Sequence, residues 1–243
     1  MDLGRVGVWW SGSWRVADEA SFDVAAELEE LGYSALWSSG GFQPGLSPHF
    51  ERLLGATTRA MVCSGIVSIW STAPHAMAQA VADLELRHPN RFVLGLGASH
   101  AAIVENYTRP YRHMVDYLDA LDAAGPPVAR ERRVVAALGP RMLDLAAERA
   151  AGAHPYFVPV EHTVRARQLL GGGALLAPEV SVVLEEDAST ARMVAWGGAD
   201  DIASRIRQHL EAGANHVCVQ VIAPLESFPL AAYRQLAPAL MEL

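Results

Sequence analysis

The chain has 243 residues, about half of them hydrophobic, and a formal net charge of −8. All 19 basic residues are arginine, which excludes a Schiff-base lysine and a Walker-type phosphate lysine, and they form no basic stripe that would favour nucleic-acid binding. No apolar run reaches the roughly 18 residues of a membrane span and no secretory signal is recognisable, so we expect a cytoplasmic protein that handles a small-molecule substrate and has no membrane partner.

Strand-like and helix-like segments alternate along the chain. The predicted strands are short, apolar and rich in β-branched residues, as parallel strands buried on both faces are. They cover residues 6–10, 34–37, 60–70, 91–97, 132–139, 152–158, 178–186 and 215–222. The predicted helices lie within or near 17–32, 49–57, 74–87, 111–124, 140–150, 160–170, 199–214 and 229–242. Cys63 and Cys218 fall inside apolar strands, which predicts buried free thiols.

Eight βα units in a chain of this length predict an α/β fold, a (β/α)8 TIM barrel that forms one domain over residues 1–243. A doubly wound open sheet is the alternative, because strand order cannot be read from the sequence. In a barrel the active site lies at the C-terminal ends of the strands.

Tryptophan is concentrated at the ends of the first three strands. Core packing alone would scatter these side chains, so the cluster favours a pocket for a large flat ring. The alternative is that two or three of them only plug the barrel mouth. Five of the six tryptophans belong to this group: Trp9, Trp10, Trp14, Trp37 and Trp70. We assign Trp9, Trp10, Trp70 and Tyr156 to a substrate pocket and Trp37 to cofactor binding.

Carboxylates and metal-binding patterns are scarce at these strand ends. The first six strands end without an aspartate or glutamate, and no histidine pair has metal-binding spacing, so no metal site is predicted. The acidic run at 185–187 is interpreted as a solvated loop or a helix start. An organic redox cofactor is favoured instead, with its phosphate held at glycine turns and helix N-termini. The best two segments are Gly97, Ala98, Ser99 and His100, and Gly139, Pro140 and Arg141.

His100 and His154 are the titratable candidates for catalysis, because each stands at a predicted strand end. For each histidine the alternative to a catalytic role is a hydrogen bond that only stabilises the fold. The Tyr156 hydroxyl is a candidate donor to a substrate.

The order of several segments resembles the bacterial luciferase-like monooxygenase superfamily, and within it the actinobacterial oxidoreductases that use the deazaflavin coenzyme F420. The resemblance covers nearly the whole chain and is most specific from Ser64 to His100. The segments that carry it are VGVWW, AAELEELGYSALW, CSGIVSIWSTAPHAMAQAVADLELRHPNRFVLGLGASH, ALGPRMLDLAAERAAGAHPYFVP and GANHVCVQVI.

The resemblance implies a (β/α)8 barrel with a deazaflavin or flavin in its mouth, and hydride transfer at C5 of the ring, or N5 in a flavin. It implies a non-prolyl cis peptide that backs the cofactor ring at the end of the third strand, with Gly65–Ile66 the preferred bond. Ser64, Gly65 and Ile66 are therefore expected to contact the cofactor. The cofactor phosphate would lie against the two segments at 97–100 and 139–141. It also implies a homodimer formed through helices on the side of the barrel.

Relatives carry an excursion between strand seven and the next helix, which is shorter here by roughly 40 residues around Arg192 and Met193. Three functions remain open. The first is an F420-dependent oxidoreductase acting on a small apolar or carbonyl-containing substrate. The second is an FMN-dependent monooxygenase or reductase. The third is a non-catalytic barrel that binds a flavin-like ligand or a partner, which the shortened chain favours.

Overall fold

The computed structural model describes residues 1–10, 20–40, 46, 48–184, 193–224 and 228–243. The predictions for Trp14, for the acidic run at 185–187 and for the shortened connection at Arg192 lie outside these residues.

Every strand pairing in the described part of the chain is parallel. The strands are β1 (Val6–Trp10), β2 (Ala35–Ser38), β3 (Met61–Ser64), β4 (Val67–Ser68), β5 (Phe92–Gly97), β6 (Arg133–Val135), β7 (Gly152–Ala153), β8 (Leu175–Leu176), β9 (Glu179–Val183), β10 (Val194–Trp196) and β11 (Val217–Val221). The helices are α1 (Ala20–Glu30), α2 (His49–Ala56), α3 (Pro74–Arg87), α4 (Pro110–Asp122), α5 (Pro140–Arg149), α6 (Val160–Leu170), α7 (Ala199–Glu211) and α8 (Leu230–Leu240).

The sheet curls into a barrel of eight strand positions. Pairing runs from β11 through β1, β2, β3, β5, β6 and β7 to β8, and β9 pairs back with β11. Only Ala177 and Pro178 separate β8 from β9, so these two segments form one interrupted strand. Across the break, the Glu179 amide donates to the Pro155 carbonyl at 2.8 Å and the Cys218 amide donates to the Pro178 carbonyl at 2.9 Å. The predicted (β/α)8 barrel is confirmed, and the open doubly wound sheet is wrong.

Side chains alternate between the barrel interior and the layer beneath the helices, as the two-residue period of a strand requires. Trp9, Trp37, Cys63, Val93 and Cys218 belong to the interior cluster. The outer cluster includes Val8, Leu36, Val62, Leu94 and Val219. Burial of such a side chain contributes about 1.5–3 kcal/mol relative to exposure. Both cysteines are buried and free, as predicted.

Proline and glycine set several helix boundaries. Helices α3, α4 and α5 each have a proline in the first turn, where the missing N–H costs no helical hydrogen bond. Gly32 has φ +99° just after α1, which is the left-handed conformation that ends helices. None of the helices within the described residues has the length and apolar character that crossing a membrane would take.

Four predicted strands differ clearly in extent from the structure. The third, predicted over 60–70, is interrupted between β3 and β4, where the Gly65–Ile66 peptide bond is cis, as the family resemblance implied. The fifth, predicted over 132–139, ends at Val135. The sixth, predicted over 152–158, ends at Ala153, because Pro155 has no amide for a ladder and Phe157 is left-handed with φ 53°. The seventh begins at Leu175 rather than at residue 178.

Candidate active site at the barrel mouth

Trp9 is the interior side chain at the C-terminal end of β1. Its ring packs against Tyr156, which follows β7, with ring centroids 5.2 Å apart. The indole Nε1 is buried and has no hydrogen-bond partner among the described residues. Buried N–H groups are almost always bonded, so this one stands out as a group able to receive a ligand or a water.

Gly65 lies directly beside Trp9 and His154. A Cβ atom at Gly65 would fall against Trp9 Nε1 and would lie 3.2 Å from His154 Nε2. The next residue, Ile66, fills the space that a side chain at Gly97 would need, since a Cβ there would meet the Ile66 side chain. Trp9, Gly65 and His154 therefore converge from three different strand ends.

His154 follows β7 and is held as a neutral imidazole. Its Nδ1 lies 2.7 Å from the Ala177 carbonyl oxygen, and only a protonated Nδ1 can donate to that oxygen. Burial lowers the pKa of His154 to about 4. Nε2 is therefore an unprotonated acceptor at neutral pH, and it is buried without a partner among the described residues.

Trp37 lies beneath His154 and is fully buried. Its Nε1 donates to His216 Nε2 at 3.2 Å, so its polar group is already satisfied inside the protein. The structure makes Trp37 part of the floor under the mouth. Because His154 stacks on Trp37, the predicted contact of Trp37 with a cofactor would be indirect, through the His154 ring.

Trp10 and Trp70, which the sequence assigned to the same pocket as Trp9, are not brought together with it. Trp10 is the neighbour of Trp9 and points to the opposite side of β1, where it packs on Phe228 with centroids 5.2 Å apart. Trp70 stacks on His113 of α4 at 4.1 Å and donates from Nε1 to the Ala98 carbonyl at 2.7 Å.

Ser64 is likewise turned toward its neighbouring strand. Its hydroxyl donates to the Gly95 carbonyl at 3.0 Å and accepts from the Gly95 amide at 2.7 Å. The side chain predicted to contact the cofactor therefore ties β3 to β5 just before the Gly65–Ile66 bond.

The two segments predicted to hold a phosphate are adjacent. The Ala136 amide donates to the Leu96 carbonyl at 2.8 Å, which places the loop after β6 beside the loop after β5. In the first loop Ser99 is left-handed with φ 60°, and His100 is exposed. In the second, Gly139 and Pro140 begin α5, and the Arg141 guanidinium lies 4.2 Å from the centre of the Tyr111 ring.

Glu179 is a site residue that the sequence reasoning missed. It is fully buried, and the Ser181 hydroxyl donates to its Oε1 at 2.7 Å while the Phe157 amide donates to its Oε2 at 2.8 Å. Burial raises the pKa of Glu179 to about 7. The available signal was a Glu-x-Ser pair at two-residue spacing inside the apolar run PEVSVVL, which places both side chains on one face.

Tyr156 is the half-exposed polar group of this site, with 42% of its surface accessible. Its hydroxyl donates to Gln220 Oε1 at 3.2 Å. Partial burial and the nearby Glu179 carboxylate raise the pKa of the phenol, so it remains a neutral donor. The described residues contain no group of three or more His, Cys, Asp or Glu side chains placed to hold a metal ion.

The sequence model of the luciferase-like monooxygenase family matches residues 15–177. No curated protein sequence shows significant similarity to the chain.

Solved structures share the fold over essentially the whole chain. An F420-dependent secondary alcohol dehydrogenase in complex with an F420–acetone adduct superposes with a TM-score of 0.76 and 14% identity, over 99% of each chain. The coenzyme F420-dependent tetrahydromethanopterin reductase from Methanopyrus kandleri gives 0.72 and 13%, over 100% of this chain and 99% of the other. The FMN complex of the oxygenating constituent of 3,6-diketocamphane monooxygenase from Pseudomonas putida gives 0.69 and 13%, over 98% and 96%. Because the sequence identities are this low, these comparisons show only that the chains share a fold.

Proposed function

Since this chain belongs to the luciferase-like monooxygenase family, a family of oxidoreductases, we propose that it exchanges a hydride between coenzyme F420 and a small organic substrate that is apolar or contains a carbonyl group. The observation that carries the proposal is the convergence of two buried, unpartnered polar atoms, Trp9 Nε1 and His154 Nε2, at Gly65.

These two atoms suit the ring of a deazaflavin or a flavin. One is a hydrogen-bond donor and the other an acceptor, and each costs about 1–3 kcal/mol while it stays unbonded in the interior. The pyrimidine part of either ring presents carbonyl oxygens and an N–H group, which are the complementary partners. The residues at the mouth therefore fit such a cofactor.

The phosphate of the cofactor would be held by the segments at 97–100 and 139–141. The start of α5 carries the positive end of the helix dipole, and it is exposed at Gly139 and Pro140. Arg141 adds a full positive charge in the first turn of the same helix. His100 extends from the neighbouring loop and is also exposed.

When bound, the deazaflavin would supply the hydride chemistry. The protein would orient the substrate and manage its polar atoms. We assign the Tyr156 hydroxyl to the substrate oxygen, because it is neutral and lies at the accessible edge of the site. The bound substrate oxygen would replace Gln220 Oε1 as the acceptor of its single proton. His154 would accept a hydrogen bond at Nε2 and would not carry charge near neutral pH.

F420 is preferred over FMN because the segment from Ser64 to His100 resembles the F420-dependent branch, and because two of the structures compared above are F420-dependent enzymes. The FMN complex with the same fold keeps an FMN-dependent monooxygenase or reductase as the second candidate.

Titration of the purified protein with F420 and, separately, with FMN tests the proposal through the fluorescence of each cofactor. We expect saturable F420 binding and much weaker FMN binding. FMN binding alone would favour the second candidate. Binding of neither would contradict both enzyme functions and leave a non-catalytic barrel.

We also propose a homodimer formed through helices on the side of the barrel. Light scattering should give about twice the 26.1 kDa mass of one chain. A mass equal to one chain would contradict the dimer without affecting the assignment of the site.

A further inference from the structure

Glu179 is a buried carboxylic acid that has no ion-pair partner among the described residues. Within the described residues no arginine or histidine forms an ion pair with it, and its two oxygens accept from Ser181 and from the Phe157 amide. The titratable groups that interact with it from other elements are Tyr156 after β7, Cys218 on β11 and Tyr233 on α8. None of these groups is positively charged, so the carboxylate depends on its hydrogen bonds for stabilisation.

Glu179 makes two hydrogen bonds to the turn that follows β7. Its backbone amide donates to the Pro155 carbonyl at 2.8 Å, and its side-chain Oε2 accepts from the Phe157 amide at 2.8 Å. Tyr156 lies between these two anchor points. Glu179 therefore forms a clamp around Tyr156, the turn residue that contacts Trp9 and Gln220.

The clamped turn has an unusual backbone. Phe157 is left-handed with φ 53°, which is uncommon for a bulky residue and needs support from its surroundings. The hydrogen bond from its amide to Glu179 supplies that support. The turn then sets the Tyr156 ring against Trp9 and the Tyr156 hydroxyl against Gln220.

We propose that Glu179 is a positioning residue whose carboxylate holds the turn formed by Pro155, Tyr156 and Phe157, and so fixes the Tyr156 hydroxyl at the barrel mouth. The contribution of this residue to catalysis rests on the proposed function, in which Tyr156 meets the substrate oxygen. The clamp itself does not depend on that function.

The strength of the clamp depends on pH. A carboxylate accepts hydrogen bonds more strongly than a neutral carboxylic acid does. Because burial raises the pKa of Glu179 to about 7, the residue changes charge in the neutral range. The hydrogen bond from the Phe157 amide lowers the pKa of the buried carboxyl, so ionisation favours the bonded turn over a turn that opens while Glu179 stays buried. The turn is therefore held more tightly above about pH 7 than below it, whereas complete unfolding exposes the carboxyl and has the opposite pH dependence.

Hydrogen–deuterium exchange at the Phe157 amide tests the clamp in protein without cofactor. Corrected for intrinsic exchange, protection in the unaltered chain should rise about fivefold from about pH 6 to about pH 8, since a charged acceptor adds about 1 kcal/mol to the bond. In Glu179→Gln this rise should disappear, with protection staying at the low-pH level. Glu161→Gln removes the same charge from the exposed start of α6 and should keep the rise.

Equal protection of Phe157 in the unaltered chain and in Glu179→Gln at about pH 8, or protection that does not change with pH in the unaltered chain, would overturn the proposal. If Glu179→Gln does not fold, the pH series of the unaltered chain and Ser181→Ala decide the question. Ser181→Ala removes one of the two bonds to the carboxyl, and it should shift the midpoint of the transition to higher pH.

F420 titration separates this proposal from the one before it. Failure of the unaltered chain to bind F420 would contradict the proposed function and leave the exchange result standing.

Discussion

The imidazole of His154 lies nearly flat on the indole of Trp37, with ring centroids 4.3 Å apart and planes inclined by 18°. The same indole donates to His216, so two histidines and one tryptophan form the floor under the barrel mouth. Burial lowers the pKa of both histidines to about 4. The floor is therefore uncharged at neutral pH.

The uncharged floor predicts loss of stability in acid. A histidine whose pKa is lowered on folding contributes stability that is complete above about pH 6.5 and is lost as the pH falls through about 4. For His154 the loss is about 3 kcal/mol at most. Urea unfolding at about pH 7 and about pH 4.5 should therefore show a smaller fall in unfolding free energy for His154→Gln than for the unaltered chain.

The exposed His75→Gln is the control for this experiment and should behave as the unaltered chain does. An equal fall in His154→Gln and in the unaltered chain would show that His154 is protonated as readily in the folded state as in the unfolded one.

Gly65→Ala should destabilise the protein by about 1–3 kcal/mol, because the added Cβ falls against the Trp9 indole and one of the two must move. Thermal unfolding measures the loss. Gly55→Ala in α2 is the matched control, since a Cβ there meets nothing within 4 Å and should stabilise the helix by about 0.5 kcal/mol. A neutral Gly65→Ala would mean that Trp9 moves aside freely.

Arg141→Ala should weaken F420 binding about tenfold, because it removes a charged donor from the phosphate segment at the start of α5. Fluorescence titration at low and high salt measures the change, and the difference between the two proteins should shrink at high salt. Arg207→Ala removes an exposed arginine from α7 and should leave the affinity unchanged. Unchanged affinity in Arg141→Ala would contradict the phosphate assignment.

Glu179→Gln should stabilise the protein more at about pH 8 than at about pH 5. The pKa of Glu179 is raised on folding to about 7, so its contribution to stability is complete below about pH 4.5 and is lost as the pH rises through about 7. The glutamine variant avoids this loss, and the gap in unfolding free energy should widen by up to about 3 kcal/mol across that range. A gap that stays constant with pH would contradict the raised pKa.

The barrel could be predicted because each βα unit carries its own local signal. Short apolar strands, glycine after α1 and proline at the start of α3, α4 and α5 are all features of neighbouring residues. The split of the seventh strand could not be predicted, because Pro178 favours the start of a strand and so hides the pairing of Leu175 and Leu176 before it. In the barrel, β8 pairs with β7 before Pro178, and β9 pairs with β11 after it.

The site was predicted less completely, because it depends on which face of a strand each side chain occupies. Trp9 and Trp10 are neighbours in the sequence, and the two-residue period alone shows that only one of them can face the interior. Trp70 follows β4 and stacks on His113 of α4, a contact between distant segments that strand periodicity does not predict. Glu179 could not be predicted from its place at a C-terminal strand end, because it is the first residue of β9. Its importance comes from its burial and from the turn it contacts.

The pairing of β1 with β11 joins Val6 to Val217, residues close to opposite ends of the sequence. During translation the first strand must therefore keep an unpaired edge until the last strand has left the ribosome. Contacts of such long range slow folding, and open strand edges promote association between chains. The nascent protein thus passes through a stage in which the edge of β1 can pair with another molecule, and chaperones that shield such edges should raise the yield of folded barrel.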